Sequence, residues 1–280
     1  MRNAIAVIAL SSFGGAAALA QTMPPSPVLQ IIRETNKEGK TAAHEKVETE
    51  WAATVRKANH PAHYVGLASI SGGDEFWFIE PMTSFAQFED WGKVSDKEPM
   101  KTVLANLNSR DGDTRASSRT LWAVFRPDMS YNPEKFSPGK TRFVEVETFR
   151  VRMGKDDDFA SGGKQIMDAM HRANIDGCTI AYQVVAGAPS GTYLLFNMMQ
   201  SMKELDSAPA RMQAISQAMG PENFSRFMKS GGDIFVSIDT TILQVKPEIS
   251  YAPQPIVNAD PAFWKAAPAA PPAAKKATQQ

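Results

Sequence analysis

The sequence predicts an α+β protein in which one ferredoxin-like β-α-β-β-α-β unit occurs twice in tandem, each with an antiparallel sheet. Three observations predict it. Residues 54–72, TVRKANHPAHYVGLASISG, align without a gap on 169–187, AMHRANIDGCTIAYQVVAG, with Ala58-Asn59 over Ala173-Asn174 and Gly72 over Gly187. The closing stretches, LWAVFRPDMSY (121–131) and TILQVKPEISY (241–251), place Pro127, Ser130 and Tyr131 over Pro247, Ser250 and Tyr251. Between these anchors the same order of strand-like and helix-like patterns recurs, and such an ordered series of matches is the mark of duplication.

The elements follow in order. The first strands, VLQIIRETN (28–36) and RFVEVETFRVRM (142–153), are rich in β-branched and aromatic residues. KEGK (37–40) and RMGK (152–155) lead into a helix. Val47, Trp51, Val55 and Ala58 recur at steps of three or four and form one apolar stripe, as do Phe159, Ile166, Met170 and Ala173, where Gly162-Gly163 weakens the start. Two strands come next, at 63–71 and 75–80, joined by a tight Ser-Gly-Gly-Asp turn. Their counterparts are 178–186 and 192–199, with a longer APSG connection. GDEFWFIEPM (73–82) corresponds to GTYLLFNMMQ (191–200). Helical material occupies 84–108 and 201–229, divided by Pro99, Pro209 and Pro221, because proline tolerates a helix start better than an interior. A last strand runs at 118–126 and 233–246.

Such a sheet carries helices on one face only. Trp122, Val124, Phe76, Phe78, Ile180, Tyr182, Leu195 and Val236 supply more apolar surface than one helix layer needs. Two sheets in one chain, packed face to face, would cover it. At this point the chain resembles the dimeric α+β barrel superfamily, which includes antibiotic-biosynthesis-type monooxygenases and NIPSNAP-like proteins, here with both halves fused over residues 28–251. The resemblance implies a pseudo-dimeric barrel. It also implies a pocket between helices and sheet that takes a small aromatic substrate or, in some branches, haem.

Around these units, MRNAIAVIALSSFGGAAALAQ has a positive start at Arg2, an apolar run and the small-x-small Ala18-Leu19-Ala20. Residues 1–20 are therefore expected to be a signal peptide, giving a periplasmic or secreted protein. Residues 21–134 and 135–255 are the two repeats, and 256–280 an Ala/Pro-rich tail expected to be disordered, at least from Ala266, with Phe263 and Trp264 able to dock back on the body. No later segment is long and apolar enough for a membrane helix. Thirty basic and 30 acidic residues give no field favouring nucleic acid. Cys178, the single cysteine, excludes an internal disulfide and reads as an inert thiol at the start of an apolar strand.

Four histidines are the first place to look for chemistry. His44 borders the apolar stripe of the first helix; Phe159 occupies its place in the second unit. It reads either as a half-buried imidazole bound to backbone or as a pocket residue, acting as base or proton shuttle, or as an axial haem ligand. His44 is the candidate catalytic residue. His60 and His63, in HPAH, could share a metal only with further ligands, which that loop does not offer. His171 suits its helix C-terminus. Glu145 and Glu147 share one face of their strand and Asp239 interrupts the last one; each reads as an exposed edge position or as an acid inside a closed barrel. Arg33 and Glu34 admit the same two readings. Trp51, Phe76, Phe78, Trp122, Tyr182 and Tyr193 are the ligand-pocket candidates, with ordinary core as the alternative.

No nucleotide loop, zincin helix or nucleophile elbow is present, and no cofactor or metal is called for. The first functional expectation is an exported small-ligand or partner-binding protein. The alternatives are a cofactor-independent monooxygenase-like enzyme on a small aromatic substrate, using His44, and a structural protein without a pocket. The duplication makes a monomer with an internal pseudo-dimer sufficient, with a homodimer as the alternative.

Overall fold

A computed structural model of the chain describes residues 22–265. The expected signal peptide and the tail after residue 265 lie outside the described residues. The first unit runs β1 (Val28–Asn36), α1 (Thr41–Lys57), β2 (Val65–Ser69), β3 (Glu75–Met82), α2 (Ala86–Ser95), α3 (Met100–Gly112) and β4 (Arg115–Phe125). The second runs β5 (Phe143–Val151), α4 (Asp156–Arg172), β6 (Thr179–Ala186), β7 (Thr192–Met199), α5 (Lys203–Asp206), α6 (Ala208–Met219), α7 (Pro221–Ile234) and β8 (Phe235–Val245). Two short helices, α8 (Gln254–Ala259) and α9 (Pro261–Trp264), follow. Pro209 and Pro221 sit in the first turns of α6 and α7, where the missing N–H removes no helical bond.

Alternation along each strand decides what faces where. Leu29 and Ile31 of β1 join Trp77, Leu121 and Val146 in one core, whereas Ile32 packs with Phe76, Phe78, Ala52 and Val55 under α1. Both faces of the sheet are thus apolar, and the fold satisfies them differently. Helices cover the outer face, and the inner face closes on itself. The strand order is β1-β3-β2-β8-β5-β7-β6-β4, a closed barrel. The predicted fold class holds, but the two sheets join edge to edge, along β2–β8 (Leu67 opposite Val245) and β4–β6 (Val124 opposite Gln183), rather than stacking as separate layers. Among the described residues closure gives every strand two neighbours, although the seams pair only the ends of β8 and β4. The edge reading is therefore corrected for Glu145 and Glu147, which lie in β5 between β7 and β8; Glu147 is half-buried, with burial and then Glu145 raising its carboxyl above the usual range, whereas Asp239 is exposed on a stretch of β8 paired with β5 alone.

The residues that reveal the duplication now have a physical reason. Ser130 Oγ accepts the N–H of Ala181 at 3.0 Å, and Ser250 Oγ accepts that of Gly66 at 2.9 Å. Tyr131 bridges to Thr179, and Tyr251 to Tyr64. Each unit's closing segment is clasped to the other unit by the same bonds. Asn59 and Asn174, at φ 50° and 47°, end α1 and α4 in the left-handed region that asparagine tolerates.

One end of the barrel is plugged. Trp264 is buried and donates its indole N–H to the Gly139 carbonyl at 2.8 Å, Ile256 joins the barrel core, and Arg142 pairs with Asp260 while lying over the Phe263 ring. The stretch 256–265, expected to belong to the tail, is part of the folded body, because its two aromatics and Ile256 cover apolar barrel interior. Beneath the plug remains an apolar cavity of about 130 Å³ bordered by Met23, Leu29, Phe136, Tyr182, Phe196 and Ile256.

Candidate functional site

The first turn of α1 carries His44, and Glu48 follows one turn later on the same face. Both point at the outer side of β1, where Glu34 projects by strand alternation. Asp111 at the end of α3 and Arg115 at the start of β4 complete the group, the junction between helix and strand setting them side by side. All four acid and imidazole side chains are buried: His44 is 0% exposed, Asp111 2%, Glu34 4% and Glu48 7%. One ligand atom from each of the four lies within 4.8 Å of the others.

The hydrogen bonds assign roles. His44 Nδ1 is 2.7 Å from Asp111 Oδ1, so with an ionised Asp111 this nitrogen carries the hydrogen and donates. Nε2 then holds the lone pair. It faces Glu34 Oε2 at 3.8 Å, and neither atom has a hydrogen-bond partner. Arg115 holds the far sides: Nη1 donates to Glu34 Oε1, and Nε to Asp111 Oδ2 at 2.8 Å. Thr114 Oγ1 lies 3.2 Å from Asp111 Oδ1, and Ser118 Oγ donates to Glu34 Oε1 at 3.2 Å. Phe76 closes the niche, its ring 4.5 Å from the imidazole. Burial, then the charge of Asp111, raises the Glu34 carboxyl. Glu48 is held well above the usual carboxylate range by burial, then by Asp111 and Glu34. Three acids share one guanidinium, so the niche attracts positive charge.

The second unit provides an internal comparison. At the positions of Glu34, His44, Glu48 and Arg115 it has Phe149, Phe159, Gly163 and Phe235. Arg115 lies near Asn36 in the β1–β4 ladder as Phe235 lies near Val151 in β5–β8. There the three phenylalanines pack on one another, ring centroids 5.3–5.6 Å apart. The backbone accepts an all-aromatic filling at this place, and the ionisable filling is peculiar to the first unit.

The other predicted residues distribute widely. Trp51, Phe76 and Phe78 gather with His44 under α1. Tyr182 faces the barrel cavity, Trp122 lies outside beneath Phe85 and Phe88, and Tyr193 packs under α4 on Phe159. They line no common pocket. His60 is engaged by Ser95 and the Ala62 N–H, and His63 stacks on Tyr251, so neither approaches His44's cluster. Carboxylates 3.8 Å or less from both ring nitrogens leave His44 no room for a macrocycle, so these residues do not fit haem. Burial pushes the Cys178 thiol up to about 11, as an inert thiol requires.

Glu48, Asp111 and Arg115 were not legible from patterns within one unit. For Arg115 the signal lay in the comparison of units, where Phe235 stands over it as Phe149 and Phe159 stand over Glu34 and His44; Gly163 over Glu48 carries no such signal.

One acid stands apart. Glu80, half-buried on β3, has its carboxyl pushed up to about 7 by burial. Its folded value lies above the unfolded one of 4.5, so its contribution is fully present below about pH 4.5 and lost as pH rises through 7. Glu80→Gln is expected to raise stability at pH 8 by about 1–2 kcal/mol, after discounting for partial exposure, and to leave it unchanged near pH 4.5. Urea unfolding at the two pH values measures this; equal effects at both would contradict it.

Comparison with solved structures places the fold. A putative monooxygenase from Fusobacterium nucleatum superposes with a TM-score of 0.51 at 11% identity, over 80% of this chain and 94% of that one. An anthrone oxidase-like protein gives 0.48 at 12% identity (79% and 92%), and a mutant chlorite dismutase from Candidatus Nitrospira defluvii 0.49 at 8% (84% and 95%). At 11% identity the likeness to the Fusobacterium protein is one of fold. No family model and no curated protein sequence matches the chain.

Proposed function

We propose that the chain is a small-molecule enzyme of the monooxygenase-like barrel type, with the ionisable niche of the first unit as its reaction centre and a small apolar or aromatic molecule as its substrate. The contrast between the two niches carries this reading. Burying three carboxylates and an imidazole opposes folding where phenylalanines would serve, so the cluster is retained for chemistry. The barrel shared with the Fusobacterium protein is in keeping with that class. The signal-like N-terminus supports action in the periplasm or outside the cell, and closure of both seams within one chain supports a monomer.

Oxygen uptake by the purified mature protein, tested on a panel of phenols, hydroquinones and polycyclic enols, examines the reading. Turnover on at least one class is expected, reduced at least about 100-fold in His44→Phe, which installs the second unit's residue. No uptake on any class, or equal rates in the variant, would overturn it.

The barrel cavity supports a second role as a binding site for an apolar ligand. At about 130 Å³ it is of the size that accepts a single aromatic ring. Native mass spectrometry with and without indole reads this directly.

A further inference from the structure

Two lone-pair atoms facing each other in a dry niche repel unless a proton or a metal ion lies between them. His44 Nε2 and Glu34 Oε2 are such a pair, both enclosed and both unpartnered among protein groups. Glu48, 7% exposed, is the most open member of the cluster. Two donors bound to one first-row ion stand roughly 3–3.5 Å apart, so the observed 3.8 Å closes with a shift of a few tenths of an ångström. The surroundings are also those of a metal centre. Asp111 takes the other imidazole N–H and fixes the ring, and Arg115 grips the outer oxygens of Glu34 and Asp111. A divalent ion bound by Glu34 and Glu48 displaces the protons that burial favours on them and balances the two negative charges that one guanidinium leaves over.

We propose that Glu34, His44 and Glu48 bind one divalent first-row metal ion, with Asp111 and Arg115 as positioning residues. One imidazole with carboxylates, and no thiolate, suits Mn²⁺, Fe²⁺ or Zn²⁺ better than a soft ion, while the imidazole disfavours Mg²⁺ and Ca²⁺. This deepens the enzyme reading by naming what its centre holds. The second unit, with Phe149, Phe159 and Phe235, has no such site.

The test is titration of the chelator-treated full chain with Mn²⁺, followed by electron paramagnetic resonance and calorimetry. One ion per chain is expected, with micromolar or tighter affinity. Glu34→Gln and Glu48→Gln, close in shape to the parent residues, should weaken it at least tenfold while circular dichroism stays unchanged. His44→Phe should abolish it. Asp111→Asn should weaken it 10–100-fold and shift the visible spectrum of the Co²⁺ form, which a purely structural role would not do. A folded protein that binds none of Mn²⁺, Fe²⁺ or Zn²⁺, or whose affinity is indifferent to these substitutions, overturns the proposal. The two readings fail separately. Oxygen uptake without bound metal removes the metal and keeps the enzyme, whereas one bound ion without turnover on any substrate does the reverse.

Discussion

Arg115→Leu is expected to lower the unfolding free energy by about 3 kcal/mol, the largest loss from any single change in the niche. Among the described residues the guanidinium is the one cation touching both Glu34 and Asp111, and its removal strands two carboxylates that are 4% and 2% exposed. Lost packing of the side-chain stem adds little, since leucine retains most of it. The informative companion is the joint change Glu34→Phe, His44→Phe, Glu48→Ala, Asp111→Ala and Arg115→Phe, which imports the second unit's aromatic filling. It should recover most of the loss and come within about 1–2 kcal/mol of the parent, because no buried charge is left without a partner. Urea denaturation of the three proteins at pH 7 decides the matter. If the five-residue variant is less stable than Arg115→Leu, the two niches are not equivalent in packing, and the comparison on which the functional reading rests fails.

The second large effect is expected at the barrel plug. Trp264→Ala should cost about 3–4 kcal/mol. The indole is 8% exposed and packs against the barrel core, and its N–H satisfies the Gly139 carbonyl. The variant loses that area, orphans a carbonyl and loosens the segment whose Ile256 borders the apolar cavity. Denaturant unfolding should show the loss, and a hydrophobic dye should bind the native variant but not the parent. A cost below about 1 kcal/mol without dye binding would mean that residues 256–265 rest on the barrel without sealing it.

Much of the fold is legible in the sequence because duplication amplifies weak signals. One strand such as 28–36 is ambiguous alone, but paired with 142–153 in the same order it becomes evidence. Ser130 and Ser250 coincide because each receives an N–H from the opposite unit, and Asn59 and Asn174 because each ends a helix at positive φ. Barrel closure was less accessible. The seams β2–β8 and β4–β6 depend on contacts nearly 180 and about 60 residues apart, which no local periodicity records. The plug was half legible: Ala/Pro-rich composition set the tail from residue 256, while Phe263 and Trp264 stood out as aromatics able to dock, as Trp264 does on the barrel core. Of the site, His44 stood out as a polar residue beside an apolar stripe. Its partners did not, since Glu48, Asp111 and Arg115 are ordinary residues until the fold joins the end of α3 to the first turn of α1.

The covalent connection from β4 to β5 has a consequence for how such a molecule diversifies. A barrel assembled from two identical chains is bound by its symmetry: every substitution appears on both sides, so an expensive polar interior would be duplicated. Once the halves share one chain, each can drift alone. Here one half has an aromatic interior that supports the shell, and the other carries a charged one. Specialisation of this kind is open to a fused pair and closed to a homodimer.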